Sequence, residues 1–310
     1  MFRFVFKRLI LLIPIMLCVS LLAFSLVRAM PGDAASAYLV AAGIPPSDAA
    51  TAAVNEKLGL DQPFFVQYYN WMIDVLHFDF GNSFINKKPV GQELIGCLSN
   101  TMQLALTAML MVLTLSVPLG FLSARNPNGI IDNVGRVFAF IGCSMPSFWL
   151  GFLLVQLFSL KLGILPVSGM GNWEHLILPS LTLSVLYIAT YSRVLRNSLL
   201  ENMNKRFVMY SRARGISEKR VFGTHVFRTS LIPTVTTLGV NFGHMLAGTV
   251  IIEVIFSWPG AGRLIVESIT ARDFPMIQGF IIVMALLFIV INLITDIICA
   301  ALDPRIRMDG

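Results

Sequence analysis

Six long stretches of this sequence contain no Asp, Glu, Lys or Arg, and they limit the possible folds more than any other feature. Each is about 18 residues or longer, the length that a helix needs to cross roughly 30 Å of hydrocarbon. They are continuous runs rich in Leu, Ile, Val, Phe, Met and Ala. The sequence therefore predicts six transmembrane helices. The stretches are residues 9–27, 94–124, 137–160, 175–192, 229–252 and 274–295.

The composition supports a membrane protein and excludes other classes. Hydrophobic residues make up 56% of the 310 residues and charged residues 13%, against about 25% charge in an average soluble domain. So little charge excludes a soluble enzyme and a disordered chain. A β-barrel would show short alternating segments instead of continuous apolar runs. The remaining fold class is all-α, a polytopic membrane protein.

The basic residues predict how the chain lies in the membrane. With the N-terminus in the cytoplasm, sixteen of the 23 Lys and Arg fall on the cytoplasmic side, as the positive-inside rule requires. Both termini are then cytoplasmic. The net charge of +6 is explained by a lipid bilayer rather than by nucleic acid. We interpret residues 1–28 as the cytoplasmic N-terminus and a retained first helix, and a cleaved signal peptide is the alternative.

Two polar segments interrupt the helices, and the first is external. This segment, 29–100, contains an aromatic run at 64–71 that predicts an amphipathic helix at the membrane interface. A small packed external lobe is a compatible alternative, and a turn is expected at 80–82. Helices two to six then lie in the remaining region, 101–310.

The second polar segment, 193–228, faces the cytoplasm in this orientation. It carries nine basic residues but only two acidic ones, Glu201 and Glu218. Attraction to anionic lipid would explain the charge, yet the segment is longer than topology requires. Its pattern predicts two short helices, 208–214 and 218–227, with Ser217 as the N-cap of the second. Such a helix pair suggests a docking element.

Motifs for hydrolysis are missing from the sequence. It contains no G-x-S-x-G, no H-E-x-x-H and no G-x-x-x-x-G-K-[ST], so neither an intramembrane enzyme nor a self-contained ATPase is indicated. The four Cys have no metal-ligand spacing. If the protein is a pump, a partner must supply the energy. A channel or gradient-driven carrier is a third class, but it would not need the 193–228 segment.

Polar residues inside the fifth apolar stretch are candidates for a transport path. Glu253 is either a pathway or gate residue or a structural partner near the outer interface. His244 and Met245 suit a soft metal such as nickel or copper, and the alternative for His244 is a hydrogen-bonded core histidine. Gly239 and Gly243 permit close contact with another helix. Pro146 predicts a kink in the third helix.

Nine short segments together resemble one protein family. The chain is similar to the inner-membrane permease subunits of ABC importers, in the branch for nickel and for di- or oligopeptides. The resemblance spans nearly the whole chain and implies the type I ABC importer permease architecture. The matching segments are RFVFKR (3–8), MPGD (30–33), LGLDQP (58–63), DFG (79–81), SMPSFW (144–149), LPVSG (165–169), IFSWPGAGR (255–263), RDFP (272–275) and DPRIR (303–307).

The resemblance implies that 193–228 is a coupling loop that inserts into an ATPase subunit. The family hallmark in this loop is E-A-A, three residues, then glycine. Gly215 matches the glycine, but Met209, Tyr210 and Ser211 occupy the E-A-A positions, so the glutamate is absent. The coupling residues implied are Ser211, Arg212, Ala213, Arg214, Gly215, His225 and Arg228.

The family also implies the partners. These are a second, homologous permease in a heterodimer, two ATP-binding subunits and an external substrate-binding protein in the bacterial inner membrane. ATP and Mg would be used by the partner subunits, with no cofactor on this chain. The short segment between helices three and four favours nickel or a nickel chelate as the substrate, with His244 as a metal ligand. A di- or oligopeptide is the alternative.

Overall fold

A computed structural model describes residues 2–30 and 34–302, without the side chains of 2–9, 240 and 300–302. The matched segment 303–307 and most of 30–33 lie outside the described residues. Most of the described chain is helical, and its β-structure is limited to one isolated bridge between Asn82 and Pro89. The helices are α1 Phe2–Ala29, α2 Ala34–Ala41, α3 Asp48–Leu58, α4 Phe64–Leu76, α5 Val90–Arg125, α6 Ile130–Ser144, α7 Ser147–Leu154, π1 Val155–Lys161, α8 Glu174–Met203, α9 Arg206–Ala213, α10 Glu218–Arg220, π2 Val221–Val226, α11 Phe227–Ile255, α12 Ala261–Thr270 and α13 Phe274–Leu302.

The helices confirm the membrane fold that the sequence predicts. Four of them, α1, α5, α8 and α13, are long and apolar enough to cross a membrane alone, and the number rises to as many as six when each of two bent pairs is counted as one span. The first pair joins α6 to 147–161 with a bend of 111°, and the second bends by 47° within α11. The third and fifth spans are therefore bent rather than straight.

The bend in the third span is a complete break, where the sequence predicts only a kink. Helix α6 ends at Ser144, Met145 is extended with φ −89° and ψ 127°, and Pro146 precedes α7. Proline disfavours the helical conformation in the residue before it and lacks an N–H to continue the helix. The Met145–Pro146 step therefore ends one helix and sets the start of the next.

The chain divides into two compact units. One, here called the lobe unit, comprises Phe2–Thr101 and Pro259–Val290. The other, called the coupling unit, comprises Met102–Trp258 and the chain from Ile291 onward. The first boundary lies next to the expected one at residue 100, but 259–290 joins the N-terminal segment instead of the region 101–310.

In the lobe unit, the aromatic run packs on the first helix. The Phe24 ring on α1 lies 5.3 Å from the Phe64 ring and 5.6 Å from the Tyr68 ring, both edge-on. Tyr68 also shares a 2.8 Å hydrogen bond with Ser20. Phe65, on the other side of α4, remains 77% exposed. The amphipathic helix and the packed lobe are thus both present.

The turn lies at 84–86, between the bridged Asn82 and Pro89, rather than at the expected 80–82, and a buried carboxylate from a distant part of the lobe unit holds its beginning. Asp273 is 1% exposed and accepts hydrogen bonds from Ser83 Oγ at 2.5 Å and from the Phe84 backbone N–H at 3.0 Å. The Arg272 backbone beside it has a φ of 58°, in the left-handed region. A buried carboxylate needs such donors because its desolvation is costly. The RDFP segment therefore holds the turn.

Candidate coupling site and translocation helix

The first half of the 193–228 segment folds back on the ends of the long helices. Helix α8 continues to Met203, and α9 begins three residues later. Val208 on α9 is fully buried, as are Leu195 and Leu199 on α8, and all three belong to one cluster with Val221 and Val226. Apolar burial therefore fixes α9 against the coupling unit.

The second predicted helix is wrong as a separate element. Helix α10, π2 and α11 follow one another without a break from Glu218 to Ile255, so 218–227 is the beginning of the fifth span. Ser217 occupies the N-cap position with φ −61° and ψ 144°, but its side chain makes no capping hydrogen bond. The expected cap is therefore present in backbone conformation only.

Gly215 ends α9 in a conformation that favours glycine. Its φ is +75°, and its N–H donates to the Arg212 carbonyl at 2.9 Å. The next N–H, of Ile216, donates to the Ser211 carbonyl at 3.2 Å. These two bonds form a Schellman motif, in which the left-handed residue is usually glycine. The glycine that matches the hallmark of the predicted coupling loop thus has a backbone reason for being glycine.

An ion pair crosses the turn that Gly215 makes. Arg212 Nε and Nη2 donate to the two Glu218 carboxylate oxygens at 2.6 and 3.2 Å. The hydrogen bond that Arg212 donates to Glu218 raises the pKa of the guanidinium above its usual range. Both side chains are exposed, so solvent screens their attraction. The pair orients the turn more than it stabilises the fold.

The outer face of α9 is apolar at the hallmark positions. Met209 is 66% exposed and Tyr210 72% exposed. Ser211 is half-buried and donates to the Phe207 carbonyl at 2.8 Å. Of the other predicted coupling residues, those from 212 to 215 are exposed beside this face, whereas the remaining two lie on the following helix. Those two are His225, in π2, and Arg228, in α11, and both are exposed.

A buried polar network anchors the base of this segment, and sequence reasoning missed it. Asn202 Nδ2 donates to Ser230 Oγ at 2.9 Å and to the Ser198 carbonyl at 2.9 Å. Ser230 Oγ donates to the same carbonyl at 3.1 Å. The network joins the end of α8, which precedes α9 in the chain, to the beginning of α11, which follows it. No local pattern distinguishes these residues from other polar residues near a helix end.

A second missed feature is an ion pair between α6 and α8. Asp132 is fully buried, and Arg196 Nε and Nη2 donate to its two oxygens at 2.5 and 2.7 Å. The Asn128 N–H also donates to it at 2.8 Å. The sequence suggested only a topological role for Arg196, but this bidentate geometry fixes the turn at 126–129 against α8.

The pathway candidates on α11 do not share one face. Met245 is 1% exposed and packs in a cluster with Trp258, and Glu253 is 0% exposed. His244 is exposed, so it is not the core histidine considered above. Because the first two side chains are buried and His244 is not, the structure does not bring the three together. The pathway role of each remains a prediction.

Gly239 permits a close contact of α11 with the last helix. A Cβ atom at this position would lie 2.2 Å from Thr295 Cγ2 on α13. Only a residue without a side chain fits such an approach, which is the use that small residues have between membrane helices. No three His, Cys, Asp or Glu side chains of the described residues form a group that could hold a metal ion.

Two family profiles match the chain. Residues 116–308 match the family described as binding-protein-dependent transport system inner membrane component. The chain belongs to this family. Residues 1–105 match the N-terminal family of the same membrane components. The permease is thus an inner-membrane, multi-pass subunit of an ABC importer of the peptide and nickel group. It is not an enzyme. It works with ATPase subunits and a binding protein.

Full-length relatives and a solved structure resemble the permease. The glutathione transport system permease protein GsiC of Salmonella typhi is 40% identical over 308 residues, 99% of each chain. GsiC of Escherichia coli is 39% identical over the same length and coverage. A crystal structure of an amino acid ABC transporter with histidines has a TM-score of 0.51 at 18% identity, covering 69% of this chain and 94% of that one. This last likeness concerns the fold alone.

Proposed function

We propose that this permease forms half of the translocation path of an ATP-driven importer for short peptides, and that glutathione is the first substrate to test. The observation that carries the proposal is the identity of 39–40%, over nearly the whole length, to permeases named for glutathione transport. The sequence favoured nickel or a nickel chelate, with a peptide as the alternative. The similarity to these relatives favours the peptide.

The placement of His244 and Met245 argues for this change. A metal path built on these two residues would need both side chains on one surface, because one ligand alone selects a metal poorly. Met245 is instead packed in the core, and His244 is exposed. A peptide requires only a path of suitable size and polarity, for which one exposed imidazole among apolar side chains is sufficient.

The exposed face of α11 is the proposed lining of the path. Residues at 244, 247, 251 and 254 are exposed, and their spacing of three or four places them along one stripe. The opposite side of the helix, with Met245 and Ile252, is buried. In our proposal this stripe faces a second, homologous permease in a heterodimer, with the substrate passing between the two.

The exposed face of α9 is the proposed ATPase contact. Met209 and Tyr210 would enter a cleft on the ATP-binding subunit, and the basic residues around them would meet acidic groups at its rim. Met209 and Tyr210 replace the hallmark glutamate and alanine. The contact with the ATP-binding subunit then rests on burial of these two side chains rather than on a glutamate charge. ATP and Mg stay on the partner, and both termini of the permease are cytoplasmic in this arrangement.

Uptake by cells that carry the permease and its partner subunits tests the substrate. We expect labelled glutathione to enter in an ATP-dependent way, with unlabelled glutathione but not nickel or nickel–histidine competing. His244→Leu is expected to raise the KM for uptake, whereas Ile294→Ala, at an exposed position of α13, leaves it unchanged. Nickel uptake that glutathione does not suppress would refute the peptide assignment.

A further inference from the structure

We propose that the coupling unit holds an anionic phospholipid in the cavity between α5, α6 and α8. This cavity has a volume of about 650 Å³. Its walls come from the end of α5, from residues 130–140 of α6 and from residues 192–197 of α8. The cavity lies apart from the exposed face of α9 and from the α11 stripe, and its α8 wall includes Arg193 and Arg196 from the beginning of the 193–228 segment.

One end of the cavity carries an excess of positive charge. Arg136, Arg193 and Arg196 line it together with a single carboxylate, that of Asp132. Arg196 and the Asn128 N–H already satisfy this carboxylate. Two guanidinium groups therefore remain for another anion.

These two arginines are accessible. The Arg136 side chain is 53% exposed and lies 3.8 Å from the Asp132 carboxylate, too far for a strong hydrogen bond. Arg136 Nη2 also donates to the side-chain oxygens of Asn128 and Asn133. Arg193 is exposed, and no acidic side chain pairs with it in the described part of the chain. A phosphodiester would accept charge-assisted hydrogen bonds from both groups, and its single negative charge would offset one of the two positive charges.

The rest of the cavity is apolar and open. Val134 and Phe140 line it and are 62% and 72% exposed. Leu119 of α5 and Phe138 of α6 add to the same wall. Charge at one end and exposed apolar surface at the other match a phospholipid, with the headgroup at the arginines and the acyl chains along the wall. Basic pockets between membrane helices are typical sites for anionic headgroups.

A second permease is a poorer occupant of this cavity. The centres of protein interfaces are depleted in charge, and burying the Arg193 guanidinium without a counter-charge would be costly. A phospholipid brings the required negative charge and is present at high concentration in the bilayer. We therefore assign the cavity to phosphatidylglycerol or a lipid of the same charge.

Native mass spectrometry of the purified importer complex, with added lipids of matched acyl chains, tests the proposal. We expect phosphatidylglycerol to bind more tightly than phosphatidylcholine. Arg193→Gln should weaken phosphatidylglycerol binding about fivefold, the effect of one basic group near an anionic surface. Arg125→Gln is the matched control, because it removes the same charge from an exposed arginine outside the cavity, and it should change nothing. Val134→Trp fills the apolar wall and should weaken binding of both lipids.

Three results would overturn the assignment. Equal binding of the two lipids would remove the charge selectivity, and an equal loss in Arg193→Gln and Arg125→Gln would make the effect general rather than local. Displacement of the lipid by glycerol phosphate, which has the charge without acyl chains, would point to a small-anion site. Lipid binding is measured without transport, so its failure would leave the peptide proposal intact.

Discussion

The coupling role of 193–228 can be tested at Gly215, because the structure separates backbone strain there from crowding. The φ of Gly215 is +75°, and a Cβ atom at this position would meet nothing within 4 Å. Gly215→Ala therefore adds only the cost of a left-handed conformation, about 1–2 kcal/mol for an L-residue. This energy opposes the turn that ends α9. Relative to competing backbone conformations, the turn should become about 5- to 30-fold less populated.

A series of variants at this position should follow the backbone cost. Asparagine tolerates the left-handed region better than alanine, and a β-branched valine is worst. Peptide-stimulated ATP hydrolysis and uptake should therefore fall in the order Gly, Asn, Ala, Val. Membrane insertion and Tm should change little, because the turn is exposed and the buried Val208 side of α9 is untouched.

Two other glycines provide matched controls. Gly43 has a φ of +72° and open space around it, so Gly43→Ala adds the same strain outside the coupling segment. Gly223 lies in π2, also with open space, but without a positive φ. Both alanine variants should couple normally. If Gly215→Val transports at the wild-type rate, or Gly43→Ala is equally impaired, the docking role of this turn is wrong.

Three further variants test the packing of the units, each read as the Tm of the purified complex. Asp132→Asn should lower the free energy of unfolding by about 3–5 kcal/mol because Arg196 loses its buried partner. Arg196→Gln in the same chain should recover part of the loss. An unchanged Tm for Asp132→Asn would refute a stabilising role of this ion pair. Asp273→Ala leaves two buried donors unsatisfied, at about 1–3 kcal/mol each, and a wild-type Tm would contradict this. Gly239→Ala should cost about 1–3 kcal/mol by overpacking, and Thr295→Ala should restore most of it; no rescue would show that the close contact is not the cause.

The number and positions of the spans could be predicted from sequence because the bilayer imposes a simple rule. A helix in hydrocarbon must be long and free of charge, and each uncharged stretch lies in helical segments. The 111° break at Pro146 was not predicted beyond a kink. An apolar run has the same composition whether it crosses the membrane straight or turns within it. Whether the run is straight or bent depends on the contacts that the helices before and after Pro146 make with the rest of the protein.

Polar contacts between distant segments were the least predictable part of the site. Asp132 and Arg196 are 64 positions apart, and Ser83 and Asp273 are 190 apart. Nothing in either local sequence identifies the partner. The glycine of the coupling loop was found from a motif, but its reason, the left-handed end of α9, needed the backbone. The burial of Met245 next to an exposed His244 was likewise invisible, because both fit an apolar helix.

ATP hydrolysis by the purified importer, with the permease and its partner subunits in lipid vesicles, tests the central claim most directly. We expect the binding protein loaded with glutathione to stimulate hydrolysis and to drive labelled glutathione into the vesicles, with both effects reduced in Gly215→Val. Hydrolysis that responds to a nickel-loaded binding protein and not to glutathione would contradict the proposed substrate. Coupled transport that is unaffected in Gly215→Val would contradict the proposed coupling site.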